Sequence, residues 1–480
     1  MNIQDLEPNV VFKFFKQILN IPRPSKKEGK IINYLLDFAK EYNLQAKTDK
    51  SGNVLISKPA TAGKENLPTV VLQSHVDMVC EKNSDVTFDF DNDAIQAYVD
   101  GNWIKAKGTT LGADCGIGMA AELAILASDN IEHGNLECLF TVDEETGLTG
   151  AFELEQNFFT GKILLNLDSE DEGEIFIGCA GGRDTTGKIA YTEVASSENG
   201  TALRIDVKGL KGGHSGDDIN KGLACANKVL NRLLYPYFDY IEINKFDGGN
   251  LRNAIAREAY AIILVAPEKV DEFKNHVNKF EEDVRYEYRS TEPDMKITVA
   301  ETEKPETVID GKAKFSLMNC LYACPHGVLA MSREIPNFVE TSTNLASVKM
   351  DNKYITISTS QRSAVNTSKD DATACVSACF KLVEAEIWQG DGYPGWIPNP
   401  DSPVLAIAEN VYKKIFSKKP LIKAIHAGLE CGLFLEKYPG LDMISFGPTL
   451  RGVHSPDERL DIASTQKFWL LLINILKEIK

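Results

Sequence analysis

The hydrophobic pattern changes character along the chain. In the first 170 or so residues the apolar positions come in unbroken runs set between helical repeats. Residues 10–19 read as a helix that stops before Pro22. Ser25 with Glu28 forms a capping-box signature opening a second helix, with apolar positions at Ile31, Ile32, Leu35, Leu36 and Ala39. Strands are predicted at residues 53–57, 69–74, 136–142 and 163–167. A Gly-rich loop, Leu111-Gly112-Ala113-Asp114-Cys115-Gly116-Ile117-Gly118, leads into an Ala-rich helix ending near Ser128. Continuous apolar strands alternating with helices predict an α/β domain with a mostly parallel central sheet. Ligands of such sheets collect beyond the carboxyl ends of the strands.

Beyond Gly181-Gly182-Arg183 the texture becomes strand-like alternation, at residues 202–207, 259–266, 295–300 and 354–358. Helical stretches lie between, near 222–234, 269–281, 311–323 and 370–384. This mixture predicts an inserted α+β domain. A stretch dense in turn formers, residues 390–400, marks its end. Helix and strand then alternate again, closing on an amphipathic helix from Ser464. The expected organisation is a catalytic domain split in sequence, 1–182 plus 391–480, with 183–390 as a lid and dimerisation domain.

Composition narrows the function classes. The chain has 480 residues, 43% hydrophobic and 25% charged, with a formal net charge of -17. That suits a soluble globular protein with a substantial core. No basic block is present, which argues against nucleic acid and anionic membrane surfaces as partners. The N-terminal residues lack a signal-peptide pattern, and no apolar run is long enough to span a bilayer. The ten cysteines are scattered, and none has CxxC spacing. Two pairs, Cys320/Cys324 and Cys375/Cys379, have the spacing of one helix face. They read as free thiols of a cytoplasmic protein.

The candidate chemistry lies where apolar runs end. His75 and Asp77 follow one strand, Asp143, Glu144 and Glu145 another, and Asp168 a third, while Asp114 lies in the Gly-rich loop and His454 near the C-terminus. A lone strand-end Asp or His is more often a turn former than a ligand. The set His75, Asp114, Glu145, Asp168 and His454 shifts that balance. Two imidazoles with three carboxylates suit a borderline metal such as Zn²⁺. Five ligands exceed the needs of one open catalytic zinc. They suit two ions when one carboxylate bridges them, at ~3.5–4 Å separation.

These motifs resemble the metallopeptidases of the aminoacylase, glutamate carboxypeptidase and carnosinase kind, and among them the aminoacyl-histidine dipeptidase (peptidase D) subgroup. The resemblance rests on Ser74-His75-Val76-Asp77-Met78-Val79, Gly112-Ala113-Asp114-Cys115-Gly116, Asp143-Glu144-Glu145-Thr146-Gly147, Asn166-Leu167-Asp168, Gly212-Gly213-His214-Ser215-Gly216 and the late His454, in family order across nearly the whole chain. It implies that His75, Asp114 and Asp168 hold one metal and Asp114, Glu145 and His454 the other, with Asp114 as bridge. Asp77 would orient His75 through its other ring nitrogen. Glu144 would be the general base acting on a metal-bridging water. Adjacent strand residues face opposite ways, so Glu144 and Glu145 share a site only if the chain turns there.

The resemblance also implies that His214 hydrogen-bonds the developing oxyanion. Arg362 is a candidate clamp for a substrate carboxylate, and Asn253 a donor to the scissile carbonyl. Glu430, in His426-Ala427-Gly428-Leu429-Glu430, is a candidate receiver of the substrate ammonium. The peptide bond after Asp114 is commonly cis in such proteins. His426 suits the core equally well, and His133, His276 and His326 match nothing and read as structural. The activity implied is a di-zinc dipeptidase (Co²⁺ or Mn²⁺ also suiting the ligands) acting on Xaa-His dipeptides, carnosine-like ones included, as a cytoplasmic homodimer. The competing readings are a tripeptidase, a less selective dipeptidase, an N-acyl amino acid deacylase, or an inactive relative acting as a binding protein.

Overall fold

The computed structural model describes residues 2–351 and 353–480. The chain divides into two compact units. One runs to Gly178 and resumes at Pro398–Ala424 and Leu429–Lys480; the other comprises Cys179–Ile397 with Ile425–Gly428. The second unit therefore begins a few residues before the sequence change suggests and ends a few after. The reason is local pairing. Strand Gly181–Ala190 is laddered from its first residue onto Tyr354–Ser363, and Trp396 and Tyr393 bond back to Cys179 and Gly182.

The first unit is built on an eight-stranded sheet. Its spatial order is Gln45–Thr48, Val54–Lys58, Leu136–Thr141, Val70–His75, Ile163–Asn166, Asp442–Ser445, Glu174–Cys179, Leu421–Ile425. The four central strands, from Leu136–Thr141 to Asp442–Ser445, run parallel, whereas Val54–Lys58 and Gln45–Thr48 extend the sheet antiparallel. The fold is α/β as expected. Strand Val70–His75 is buried along its whole length, which is why it reads as an unbroken apolar run.

Helix Asn9–Ile18 buries Val11, Phe12, Phe14, Phe15 and Ile18, a stripe at helical spacing. It packs on helix Ala113–Ala127, which in turn covers strand Val70–His75. Each such side chain contributes about 1.5–3 kcal/mol of transfer free energy, set against the entropy of ordering it. Helices Pro403–Phe416 and Ile462–Glu478 pack together, the former on strand Asp442–Ser445. A separate small sheet pairs Leu450–Arg451 with Arg459–Asp461 and the latter with Trp103–Ala106. The loop inside that hairpin carries His454.

The second unit holds a nine-stranded antiparallel sheet with helices Ala226–Leu234, Gly311–Ala323, Val270–Glu287 and Asn366–Leu382, the α+β texture expected. Its core gathers Leu203, Ile205, Leu230, Leu233, Phe246, Leu317 and Phe380. Strand Val339–Met350 went unread in the sequence because its buried centre is Thr341-Ser342-Thr343-Asn344. Neighbouring polar groups pair with most of that centre, though not with Asn344 Oδ1. Gln361 donates to Thr343 (3.2 Å) and Thr359 (2.8 Å), and Thr185 donates to Gln361 (2.7 Å). No helix among the described residues is long and apolar enough to cross a membrane.

Candidate active site

The parallel register aligns the strand ends that carry the chemistry. His75 lies level with Thr141, and Gln73 with Leu139 and Asn166. Each strand then runs two residues or fewer to an acidic position. Asp143 adopts a left-handed conformation, φ 50°, and so turns the chain into the short helix Glu144–Gly147. That turn is what the adjacent Glu144 and Glu145 require to leave strand geometry. Asp77 anchors the new helix, its carboxylate accepting from the N–H of Glu144 (3.0 Å) and of Glu145 (3.2 Å). A carboxylate there also complements the helix dipole.

The five ligand candidates converge as two groups that share one residue. The Nε2 of His75 lies 3.1 Å from Asp114 Oδ1 and 3.3 Å from Asp168 Oδ1. His454 Nε2 lies 3.2 Å from Asp114 Oδ2 and 3.0 Å from Glu145 Oε2. The two oxygens of Asp114 thus point to different partners. On its far side, His75 Nδ1 lies 3.4 Å from Asp77 Oδ1, and Ser25 donates to Asp77 Oδ2 at 2.7 Å. The Asp114–Cys115 peptide bond is cis.

The electrostatics show what this donor set lacks. Burial works against protonating His75, but Asp168, Asp114 and Asp77 outweigh it and hold its pKa well above the ordinary value. Bonds to Asp114 and Glu145 push His454 up to about 11. Burial pushes Asp168 up to about 6. Asp114 is depressed, the His454 and His75 bonds overcoming its burial. Burial would raise Asp77, yet its bonds to His75, Ser25 and the Glu144 N–H hold it at about 2. So many carboxylates within about 3 Å of two imidazoles need positive charge between them. Divalent cations meet that need with the same atoms. Asp168 Oδ1 is buried and faces only the His75 ring nitrogen, so it keeps lone pairs for a cation. These residues would suit two cations, with Asp114 able to offer one oxygen to each.

Residues that periodicity could not single out hold the site's segments together. Arg23, buried between two prolines, donates to the carbonyls of Val76 (2.8 Å), Asp77 (2.6 Å) and Gly112. A Cβ on Gly112 or Gly116 would approach its guanidinium to 2.7 or 2.8 Å, so both positions need glycine. Glu458, four residues after His454, accepts from the backbone N–H of Leu111 (2.7 Å), Gly112 (2.9 Å), Ala113 (2.7 Å) and Asp114 (3.4 Å). The only sequence signals were an arginine between prolines and the glycines themselves. The capping box expected at Ser25 and Glu28 does not form. Ser25 bonds Asp77, while Glu28 accepts from Asp143 N–H (3.0 Å), and helix Gly29–Glu41 has no side-chain cap. The site's demand for donors overrides the local motif.

The second unit assembles its own constellation. His214 Nε2 and Arg362 Nη2 are 3.5 Å apart. Arg362, buried, donates to Ser215 Oγ (3.2 Å) and Tyr393 Oη (2.9 Å). Asn253 is exposed and accepts from Ser215 N–H through its backbone carbonyl (2.8 Å). His426, buried, bonds Ser342 Oγ at 2.7 Å.

Glu430 lies beneath the first unit's site rather than on an accessible wall. It has no exposed surface, and its Oε2 accepts from Gln73 (2.6 Å) and Thr141 (2.8 Å). Burial pushes its pKa up to about 8. A receiver of a substrate ammonium must be reachable, so the placement does not suit that role. His133, His276 and His326 each engage a backbone group, of Gly134, Leu233 and Leu345 respectively.

Comparison with known proteins shows the family and the fold. The chain is 43% identical to the cytosol non-specific dipeptidase of Escherichia coli over 99% of each chain. It superposes on the crystal structure of aminoacylhistidine dipeptidase from Vibrio alginolyticus with a TM-score of 0.93 at 42% identity, covering 100% of this chain and 98% of that one. The fold is shared more distantly with an aminopeptidase, PepT, of Bacillus cereus (TM-score 0.59, 16% identity, 99% of each chain). Residues 71–478 match the model of peptidase family M20/M25/M40, and with full-length identity at this level the chain belongs to that family.

Proposed function

We propose that the protein is a two-metal dipeptidase that hydrolyses Xaa-His dipeptides, carnosine-like substrates included. The observation that carries the reading is the pair of donor groups sharing Asp114. His75, Asp114 and Asp168 would hold one cation, and Asp114, Glu145 and His454 the other, Zn²⁺ being the best match to mixed imidazole and carboxylate ligands. When bound, such cations polarise the scissile carbonyl and lower the pKa of water.

The remaining work belongs to the chain. Glu144 takes the proton from the attacking water and returns it to the leaving amine. Burial raises its pKa well above the ordinary value, His75 opposing and the Asp168, Glu145 and Glu430 carboxylates adding to it. That is the property a proton carrier needs. Asp77 fixes the ring of His75 and, through the Glu144 and Glu145 N–H groups, the turn that presents both glutamates. In the same reading the second unit is the lid and dimerisation domain. His214 donates to the developing oxyanion, Arg362 clamps the substrate carboxylate, and Asn253 donates to the carbonyl oxygen. We place the enzyme in the cytoplasm as a homodimer. Ten cysteines with no disulfide among the described residues, and the cytosolic name of the E. coli relative, support the compartment.

A less selective dipeptidase is the second reading, favoured by the name "non-specific dipeptidase" of that relative. Hydrolysis rates on β-Ala-His, Gly-His, Ala-Ala, a tripeptide and an N-acetyl amino acid, with metal content measured on the same sample, decide between them. Preference for the histidine dipeptides supports the first. Equal rates on Ala-Ala support the second, and turnover of only the tripeptide or the N-acetyl compound overturns both.

A further inference from the structure

The turn-rich stretch 390–400, which the sequence marks as a boundary, carries Tyr393 to the side chain of Arg362. Strand register sets the route. Gly182 lies opposite Arg362 in the ladder between strands Gly181–Ala190 and Tyr354–Ser363. Side chains of facing residues leave a sheet on the same side, so a glycine at 182 leaves open the space beside the arginine. Tyr393 fills it. Its N–H donates to the Gly182 carbonyl (2.9 Å), its carbonyl accepts from the Gly182 N–H (3.1 Å), and Lys369 donates to the same carbonyl. A Cβ on Gly182 or on Gly428 would come within 2.8 Å of the phenol ring. The ring is held against two backbones that only glycine permits.

The hydroxyl at the tip of the ring meets the guanidinium. Tyr393 Oη accepts from Arg362 Nη1 at 2.9 Å, and Ser215 Oγ accepts from Nε at 3.2 Å. Both acceptors are neutral, burial raising the phenol above its ordinary pKa with Arg362 opposing. Arg362 is buried, yet among the described residues no carboxylate forms an ion pair with it. A buried guanidinium with neutral partners still calls for a counter-charge. The nitrogen left without an oxygen acceptor is Nη2, which lies 3.5 Å from His214 Nε2.

We propose that Tyr393 is a positioning residue for substrate recognition, fixing the Arg362 guanidinium together with Ser215 so that Nη2 is presented to the C-terminal carboxylate of the dipeptide. The inference rests on the reading of Arg362 as the carboxylate clamp and adds what aims it. A free arginine loses rotamer freedom when it grips a carboxylate, whereas one already held by two acceptors does not. The group recognised is a free carboxylate. A substrate whose carboxyl is blocked as an amide forfeits the contact and leaves the arginine unpaired.

The test is steady-state kinetics of the full-length, zinc-loaded protein on Gly-His and Ala-Ala and on the C-terminal amide of each. The parent should prefer acid to amide in kcat/KM. Tyr393→Phe keeps the ring between its glycines and removes the acceptor. It should cut that preference ~tenfold, as expected for one hydrogen bond to a charged group, and through KM of the acids rather than kcat. Gly182→Ala keeps the hydroxyl but displaces the ring. It should reduce the preference in the same way, so the answer does not depend on the folding of one variant. Arg362→Met separates this inference from the reading beneath it. If R362M leaves the preference intact, Arg362 is not the clamp and both fall. If R362M abolishes it while Y393F and G182A keep it, Tyr393 does not aim the arginine and this proposal alone fails. A loss in Y393F that falls equally on acids and amides marks a purely structural role and also overturns the proposal.

Discussion

Replacing Glu458 by Gln tests whether the loop bearing Asp114 is held for metal binding or only for folding. The carboxylate accepts from four consecutive backbone N–H groups, two on each oxygen. Gln keeps the shape and one oxygen but turns an NH₂ toward the other pair. Two buried N–H groups then lack an acceptor, at about 1–3 kcal/mol each, unless the loop moves. A loop that moves carries Asp114 away from His75 and His454. If about half of that cost appears at the donor groups, metal affinity falls ~10–100-fold, the range typical of losing a residue that orients ligands. The assay is competition for Zn²⁺ against a chromophoric chelator on metal-free protein, with melting curves on the same samples. Leu230→Ala in the second unit's core is the control. Leu230 is fully buried, so its truncation costs ~2–5 kcal/mol and should leave metal affinity unchanged. Zinc affinity within about twofold of the parent in a folded E458Q protein would refute the reasoning.

Three further outcomes are expected. Glu144→Ala should lower kcat ~10²–10⁴-fold with metal content unchanged; retained activity ends its role as base. His214→Ala should depress kcat ~10²–10³-fold at full metal occupancy, and loss of metal instead would make His214 a ligand. The third concerns protons. His75 is held well above its ordinary pKa and His454 at about 11, so both are protonated in the metal-free protein at neutral pH. Loading cations must then expel about two protons, and affinity falls as pH falls. The same raised pKa values stabilise the metal-free fold below the unfolded histidine pKa and lose that contribution as pH rises toward about 11. Calorimetric titrations in buffers of different ionisation enthalpy count the protons, and no buffer dependence at pH 7 contradicts the assignment.

What was legible in the sequence was whatever follows from a local pattern. The central strands read correctly because burial on both faces makes each an uninterrupted apolar run, and His75, Glu145 and Asp168 stood out as candidates because they lie at or just beyond the ends of those runs. The second unit's polar strand hid for the converse reason. Thr343 and Asn344 sit in the core because Gln361 of the adjacent strand and the carbonyl of Ala254 in a loop supply bonds to them. Alternation of apolar and polar positions cannot report a core whose polarity is satisfied from elsewhere.

The sequence by itself determined the order of the elements, the choice of five ligand candidates, and the need for a turn where Glu144 and Glu145 adjoin. Those are properties of spacing and residue chemistry, and they survive without coordinates. That the turn is made at Asp143 came from the structure. Only the tertiary structure decided that the two oxygens of Asp114 face different histidines, and that Glu430 lies under the site. It also revealed Arg23 and Glu458 tying residues 76–77, 111–114 and 458 into one frame. The partners of Glu458 are more than 340 positions away in the chain. Hydrogen bonds across such distances leave no periodicity to read, because they form only after the sheet has set its register.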